Sequence, residues 1–173
     1  MGHVTPLSFG TRLVVLSEKD GWARIAWDGG QVTRDLYVPS QHLAPIDHIE
    51  PDPAAVADRL IGSPYLWGGN SSFGIDCSGL VQAALLACGT RCPSDSDLQE
   101  AAFPDATGTY QRGDLLFWKD HVAMVTDATT MIHANAHHMA VAYEPIAAAI
   151  TRIQAQGDGP VTSHKRPILG ASS

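Results

Sequence analysis

One run constrains this 173-residue chain more than any other: Pro64-Tyr65-Leu66-Trp67-Gly68-Gly69, then Phe73-Gly74-Ile75-Asp76-Cys77-Ser78-Gly79-Leu80. A glycine-rich loop delivers a cysteine to the start of an apolar stretch. Cys77 to Cys88 is nearly all apolar, with Gln82 the main exception, and Gly89 suits a C-terminal cap. The stretch reads as a buried central helix with Cys77 in its first turn. A thiol there meets the positive end of the helix dipole and several unpaired backbone N–H groups. Both favour the thiolate, which is the nucleophilic form. A buried cysteine on its own is usually a packing residue; the loop in front of this one points to chemistry.

Composition bounds the remaining readings. Hydrophobic residues make up 45% of the chain, enough for a proper core. The net charge is -7 and no Lys/Arg cluster stands out, which argues against nucleic acid and anionic membrane surfaces as partners. No apolar run reaches the ~18 residues of a membrane helix. Met1-Gly2-His3-Val4-Thr5-Pro6 lacks a basic region followed by an apolar stretch, so no secretory signal is visible. Cys77, Cys88 and Cys92 are too few, and odd in number, for a disulfide framework; Cys88 and Cys92 read as inert, semi-buried thiols. These features lean towards a cytoplasmic protein.

The chain changes character along its length. Residues 11 to 43 read as short strands: Thr11 to Leu16, Trp22 to Trp27, an Asp28-Gly29-Gly30 turn, then Leu36-Tyr37-Val38. Pro45 to Pro53 is an acidic, proline-bearing linker. Asp52 can cap a helix with Pro53 at its first position, and Gly62 can close it. Ser94 begins a short acidic helix. From Arg112 the pattern turns to strands: Leu115 to Trp118, His121 to Thr126, Met131 to Asn135, Met139 to Tyr143 and Val161 to Pro167, with an Ala-rich helix from Pro145 to about Gln154. Helices first and antiparallel sheet second is an α+β pattern.

A cysteine hydrolase needs a base beside the nucleophile and a third group to hold the base. His121 opens its strand and is the candidate base. His133, twelve residues on, lies in the next strand. It can orient His121 only if the hairpin register puts both imidazoles on one face. Two histidines and a cysteine could also bind zinc, but no close-spaced ligand pair supports this, and metal would quench the nucleophile. His137 and His138 read as solvent-facing loop residues.

Asp76-Cys77-Ser78-Gly79, Gly113-Asp114-Leu115, His121-Val122-Ala123 and His133 together resemble the NlpC-type cell-wall peptidases, small papain-like cysteine enzymes. The resemblance covers residues 54 to 169. It implies a papain-like α+β catalytic domain over 54–173. Leu16-Ser17-Glu18, Asp20-Gly21-Trp22-Ala23 and Tyr37-Val38-Pro39 with His42-Leu43 resemble the later strands of a bacterial SH3-like barrel. That implies a small, partial β-barrel over 1–47, joined by a linker at 48–53.

The resemblance also implies roles. Cys77 is the nucleophile, His121 the base and His133 its orienting partner. Tyr65 joins the Cys77 backbone N–H in stabilising the oxyanion. Pro93-Ser94-Asp95-Ser96-Asp97-Leu98-Gln99 resembles a stretch of muropeptide-recycling members, which implies Asp95 and Ser96 at a substrate amine. Trp67, Asp76 and Ser78 are implied as pocket residues. No cofactor or metal is implied. The implied reaction is hydrolysis of the amide between γ-D-glutamyl and a diamino acid (diaminopimelate) in peptidoglycan peptides with a free N-terminal L-Ala. An amidase or acyltransferase with the same Cys-His-His site stays open, as does an inactive wall-binding module. Two observations discriminate them: whether Asp95 and Ser96 merely cap a remote helix, and whether Cys77 reacts.

Overall fold

The computed structural model describes residues 5–26 and 35–170. Met1 to Val4, Trp27 and the Asp28-Gly29-Gly30 turn lie outside the described residues. The chain divides into two compact units, 1–48 and 49–173.

The first unit is a three-stranded antiparallel sheet in sequence order: β1 (Val14–Lys19), β2 (Trp22–Ala26) and β3 (Leu36–Pro39). β1 begins later than the apolar pattern predicts. Thr11 is held in a turn, its N–H and hydroxyl both donating to the Ser8 carbonyl. Asp20 and Gly21 both have positive φ, as a two-residue hairpin turn requires. β1 is exposed throughout, and among the described residues of this unit only Ala23, Ile25 and Leu36 are buried. A small sheet with a small core therefore stands where the partial barrel is expected. His42 belongs to a 3-10 turn, Ser40–His42, and not to a strand.

The second unit opens with residues fastened to its own helices. The Glu50 N–H donates to the Ala87 carbonyl, and the Glu50 carboxylate takes a two-pronged bond from Arg59 at 2.8 and 2.7 Å. Helix α1 (Pro53–Asp58) starts as its sequence dictates: Pro53 sits in the first turn and Asp52 accepts from the Ala54 N–H at 3.0 Å. It ends before Gly62. From Arg59 on the N–H groups reach back three residues, to Val56, Ala57 and Asp58, and the turn tightens out of the helix.

A hairpin of β4 (Asn70–Ser71) and β5 (Gly74–Ile75) precedes α2 (Cys77–Ala87), and α3 (Ser96–Ala102) follows. Then come β6 (Leu115–Trp118), β7 (His121–Val125), β8 (Thr130–Asn135), β9 (Ala140–Pro145), α4 (Ile146–Gln156) and β10 (Ser163–Lys165). The five strands form one antiparallel sheet in the order β10-β6-β7-β8-β9.

Alternation along the strands divides the core. Leu115, Phe117, Val122, Met124, Ile132 and Ala134 join the apolar faces of α1 and α2. Leu116, Trp118, Ala123, Val125 and Met131 pack with Ile146, Ala149 and Ile153 of α4. The α+β architecture follows: one sheet, with helices on both faces.

Asp114, at the start of β6, is buried and locks β10 in place. It accepts from Arg166 at 2.6 and 2.8 Å, from His164 Nε2 at 2.6 Å and from the Gln111 N–H at 2.8 Å. Burial alone would raise its pKa. The Arg166, Gln111 and His164 bonds outweigh burial and hold it below the usual carboxylate range.

Candidate active site

The nucleophile loop is folded by its own backbone. The Leu66 N–H donates to the Ile75 carbonyl, the Ile75 N–H to that of Pro64, and the Asp76 N–H to that of Gly69. This close approach needs glycine at two places. A Cβ on Gly69 would lie 2.4 Å from the Gly74 carbonyl oxygen, and one on Gly79 would lie 2.6 Å from the Gly69 carbonyl oxygen.

Asp76 joins the loop to the helix. Its Oδ1 accepts from the Gly79 N–H at 2.7 Å and from the Ser78 hydroxyl at 3.2 Å, and its Oδ2 accepts from the Gly68 N–H at 2.8 Å. Asp76 is thus the N-cap of α2 and the clasp of the loop, with both oxygens engaged by the chain itself.

Cys77 is the first residue of α2, as predicted, and is only 6% exposed. Its protonation differs from the sequence expectation. Burial pushes the thiol up from 9.0 to about 11. The backbone N–H groups of Val122, Ser78 and Cys77 do pull towards thiolate, but the loss of water outweighs them and the Asp76 charge adds to it. Near neutral pH Cys77 is thus held as a neutral thiol. Because the Val122 amide reaches the sulfur, Cys77 lies against the first residues of β7.

His121 begins β7, directly after the Lys119-Asp120 turn, and its ring tilts against Trp118 with centroids 5.7 Å apart. Its Nε2 lies 2.9 Å from Nδ1 of His133. The register thus brings both imidazoles to one face. β7 pairs with β8 only through Met124 and Val125, while β8 pairs with β9 along its whole length. His133 is fully buried. Burial lowers its pKa from 6.5 to about 3, helped by His121 and opposed by Glu144. Burial likewise lowers His121 to about 4, helped by Arg152 and opposed by Asp158 and Glu144. Both rings are neutral at physiological pH.

The row of polar groups continues beyond the predicted residues. His133 Nε2 lies 3.0 Å from Glu144 Oε2, and Arg152 of α4 grips Glu144 with Nε at 2.9 Å and Nη2 at 2.7 Å. Burial would raise Glu144; Arg152 and His133 outweigh it and keep the carboxylate ionised. The available signal in the sequence is a lone acidic residue directly after the apolar run Ala140 to Tyr143. Ligand atoms of His133, His138 and Glu144 lie within 4.8 Å of one another. The Glu144 charge is already matched there by the Arg152 guanidinium, and His138 Nδ1 lies 3.0 Å from Asn135 Oδ1, so the set is poorly suited to a cation.

Tyr65 is half-buried, and its ring packs on the core cluster that contains Cys77. Burial raises its phenol pKa, with Cys77 and Asp76 adding to the effect, so the hydroxyl remains a donor. Trp67 is 76% exposed, whereas Ser78 is buried. Asp95 stands at the N-cap of α3, but its side chain makes no capping bond; it accepts instead from the Ser94 hydroxyl at 2.8 Å. Ser96 is half-buried at the first position of α3. Gln99, which the sequence reading did not assign to the site, is fully buried. Its Nε2 donates to the carbonyls of Ser78 and Pro93, both at 2.9 Å, tying α3 to the turn that carries Cys77.

A model of the NlpC/P60 family matches residues 62–155, more than half of the chain. The chain belongs to the NlpC/P60 family. The match takes in the nucleophile loop, α2 and β7 to β9. A gamma-D-glutamyl-L-lysine dipeptidyl-peptidase of Bacillus cereus is 29% identical over 154 residues, which is 81% of this chain and 46% of that protein. Dipeptidyl-peptidase 6 of Lysinibacillus sphaericus is 44% identical over 78 residues, 43% of this chain and 28% of that protein. A crystal structure of an NlpC/P60 family protein from Bacillus cereus superposes with a TM-score of 0.69 at 26% identity, covering 92% of this chain and 55% of that one. This NlpC/P60 chain spans less than half the length of these two curated relatives.

Proposed function

We propose that this NlpC/P60 protein is a cysteine peptidase that cleaves the amide between γ-D-glutamyl and a diamino acid in peptidoglycan peptides carrying a free N-terminal L-Ala. One observation carries the reading: a cysteine at a helix start lies against a strand whose first residue, His121, is 2.9 Å from a second, buried imidazole. The relatives named as γ-D-glutamyl dipeptidyl-peptidases support the choice of bond.

In this mechanism the Cys77 thiol attacks the γ-D-glutamyl carbonyl carbon while His121 takes its proton. A neutral thiol beside a neutral imidazole makes His121 a general base at the moment of attack. His133 holds the ring through Nε2, leaving Nδ1 for the proton. The tetrahedral oxyanion is met by the Cys77 N–H and the Tyr65 hydroxyl; each such donor is typically worth ~2.7–4 kcal/mol. The protonated His121 then delivers its proton to the leaving amine, the C–N bond breaks and a thioester remains. Water, deprotonated by His121, releases the acid and regenerates the thiol.

Asp95, with its carboxylate free of a capping task, is the partner for the substrate ammonium, and Ser96 lies beside it. Exposed Trp67 lines the approach, while Asp76 and Ser78 shape the turn beneath it. The first unit is read as a partial SH3-like barrel.

The test is incubation with L-Ala-γ-D-Glu-meso-diaminopimelate, its lysine counterpart and the N-acetylmuramoyl forms, with products read by mass spectrometry. Cleavage of only the free-amine peptides supports the reading. Cleavage of both forms removes the requirement for an amine. Cleavage of none overturns the assignment and favours an acyltransferase or a binding module.

A further inference from the structure

The hydrogen-bonded row His121–His133–Glu144–Arg152 has a direction. Glu144 Oε2 receives Arg152 Nη2 at 2.7 Å and faces His133 Nε2 at 3.0 Å. A carboxylate oxygen only accepts. If His133 Nε2 lacked a proton, two acceptors would confront each other at that distance inside the core. His133 therefore carries its proton on Nε2, and as a neutral ring it has a lone pair on Nδ1. That lone pair lies 2.9 Å from His121 Nε2, which must then be the donor. A neutral His121 with its proton on Nε2 has an unprotonated Nδ1. Each step follows from the one before, and the first is fixed by an acid that the triad does not include.

The geometry points to Glu144 as a positioning residue of this site: held by the fork of Arg152, it sets both imidazoles in single tautomers and leaves Nδ1 of His121 as the basic nitrogen. The inference rests on the reading of His121 as the base for Cys77. Arg152 has its own part. Its positive charge offsets the negative charge of Glu144, so His133 need not be a cation to satisfy the carboxylate, and the row stays neutral until a proton leaves Cys77. The arrangement joins the site to α4, since Arg152 also donates to Gln156 one turn on, at 2.8 Å. A glutamate with one oxygen on His133 and both on a guanidinium has little freedom to turn.

Tautomers can be read directly, with or without turnover. The protein labelled with ¹⁵N-histidine is examined at neutral pH by two-bond ¹H–¹⁵N correlation, alongside Glu144→Gln, with the two rings assigned from His121→Gln and His133→Gln. Wild-type protein is expected to show the Nε2–H form for both His121 and His133. Glu144→Gln keeps the shape but can present an N–H to His133 Nε2, so the single Nε2–H signature of His133 is expected to be lost. In the same variant kcat for the tripeptide falls ~10–100-fold, as for other partners that orient a functional histidine, with KM unchanged. An Nδ1–H form of His121 in the wild-type protein overturns the inference, whatever the variant does. So does a Glu144→Gln protein with unaltered tautomers or unaltered kcat. If the wild type cleaves no γ-D-glutamyl peptide, the proposed function fails, while the ring nitrogens still decide the role of Glu144.

Discussion

Gln99 Nε2 lies 2.9 Å from the carbonyl oxygen of Ser78, the residue that follows Cys77. The same nitrogen bonds the Pro93 carbonyl. One buried amide thus fixes how far the Asp95-Ser96 turn stands from Cys77. Replacing it with leucine leaves two carbonyls unpaired, at a cost of roughly 1–3 kcal/mol each where they stay buried. Gln99→Leu is expected to lower the thermal midpoint and to raise KM for free-amine peptides more than it lowers kcat. An unchanged KM would separate Gln99 from substrate placement.

Cys77→Ala is expected to abolish turnover while leaving the circular dichroism spectrum unchanged. No thioester should be trapped by acid quench in the variant, whereas the wild type should show one under rapid mixing. Residual turnover in Cys77→Ala would mean that the attacking group is another.

His133→Ala removes the acceptor for His121 Nε2 and leaves Glu144 facing a void. A large loss of kcat with a measurable remainder is expected, because Cys77 and the proposed oxyanion donors stay in place. Steady-state kinetics at saturating tripeptide would check this, and an undiminished rate would remove His133 from the site.

Stability should depend on pH at both ends. The folded protein holds His121 and His133 neutral, lowered from 6.5 to about 4 and about 3 by burial. The unfolded chain takes up those protons near pH 6.5 and the folded chain does not. The contribution is thus complete above 6.5 and is lost as pH falls towards 4 and 3. Cys77 works in the other direction. Raised from 9.0 to about 11, it contributes fully below 9 and is lost as pH rises towards 11. The thermal midpoint should fall on both sides, and His133→Asn should flatten the acid side. An identical acid limb in that variant would assign the effect to other groups.

Three donors converge on the two oxygens of Asp76. Asparagine offers one oxygen, and its amide would turn a donor towards a donor. Asp76→Asn is expected to cost ~1–2 kcal/mol in denaturant unfolding, the range of a lost cap. A variant as stable as the wild type would show that the loop holds without its clasp.

Much of this was legible in the chain. Asp52-Pro53 starts a helix because capping and a fixed φ act locally, and the Cys77 helix ends within a residue of its glycine cap for the same reason. Short apolar runs locate β6 to β9 to within about two residues, the usual uncertainty of an element end. The histidine pair could be named but not paired, since a one-residue slip reverses the face. The protonation of Cys77 was misjudged because dipole and N–H groups are visible in sequence, whereas the depth of burial is a sum over the whole fold. Glu144 and Gln99 were overlooked for a similar reason: their partners lie 11 and 21 residues away.

The bond between Asp114 and Arg166 also has a bearing on biosynthesis. β6 is translated some fifty residues before β10, its neighbour at the sheet's edge. Until then Asp114 is a carboxylate bound for the interior with neither of its basic side-chain partners yet made. Burying it alone would cost several kcal/mol, which opposes closure of the sheet at that edge before β10 arrives. A chain that ends before His164 contains every residue proposed for catalysis but neither basic side chain that Asp114 binds. Burial of Asp114 is in this sense completed by the last strand, and arrest-peptide force measurements along the message are expected to register a late step.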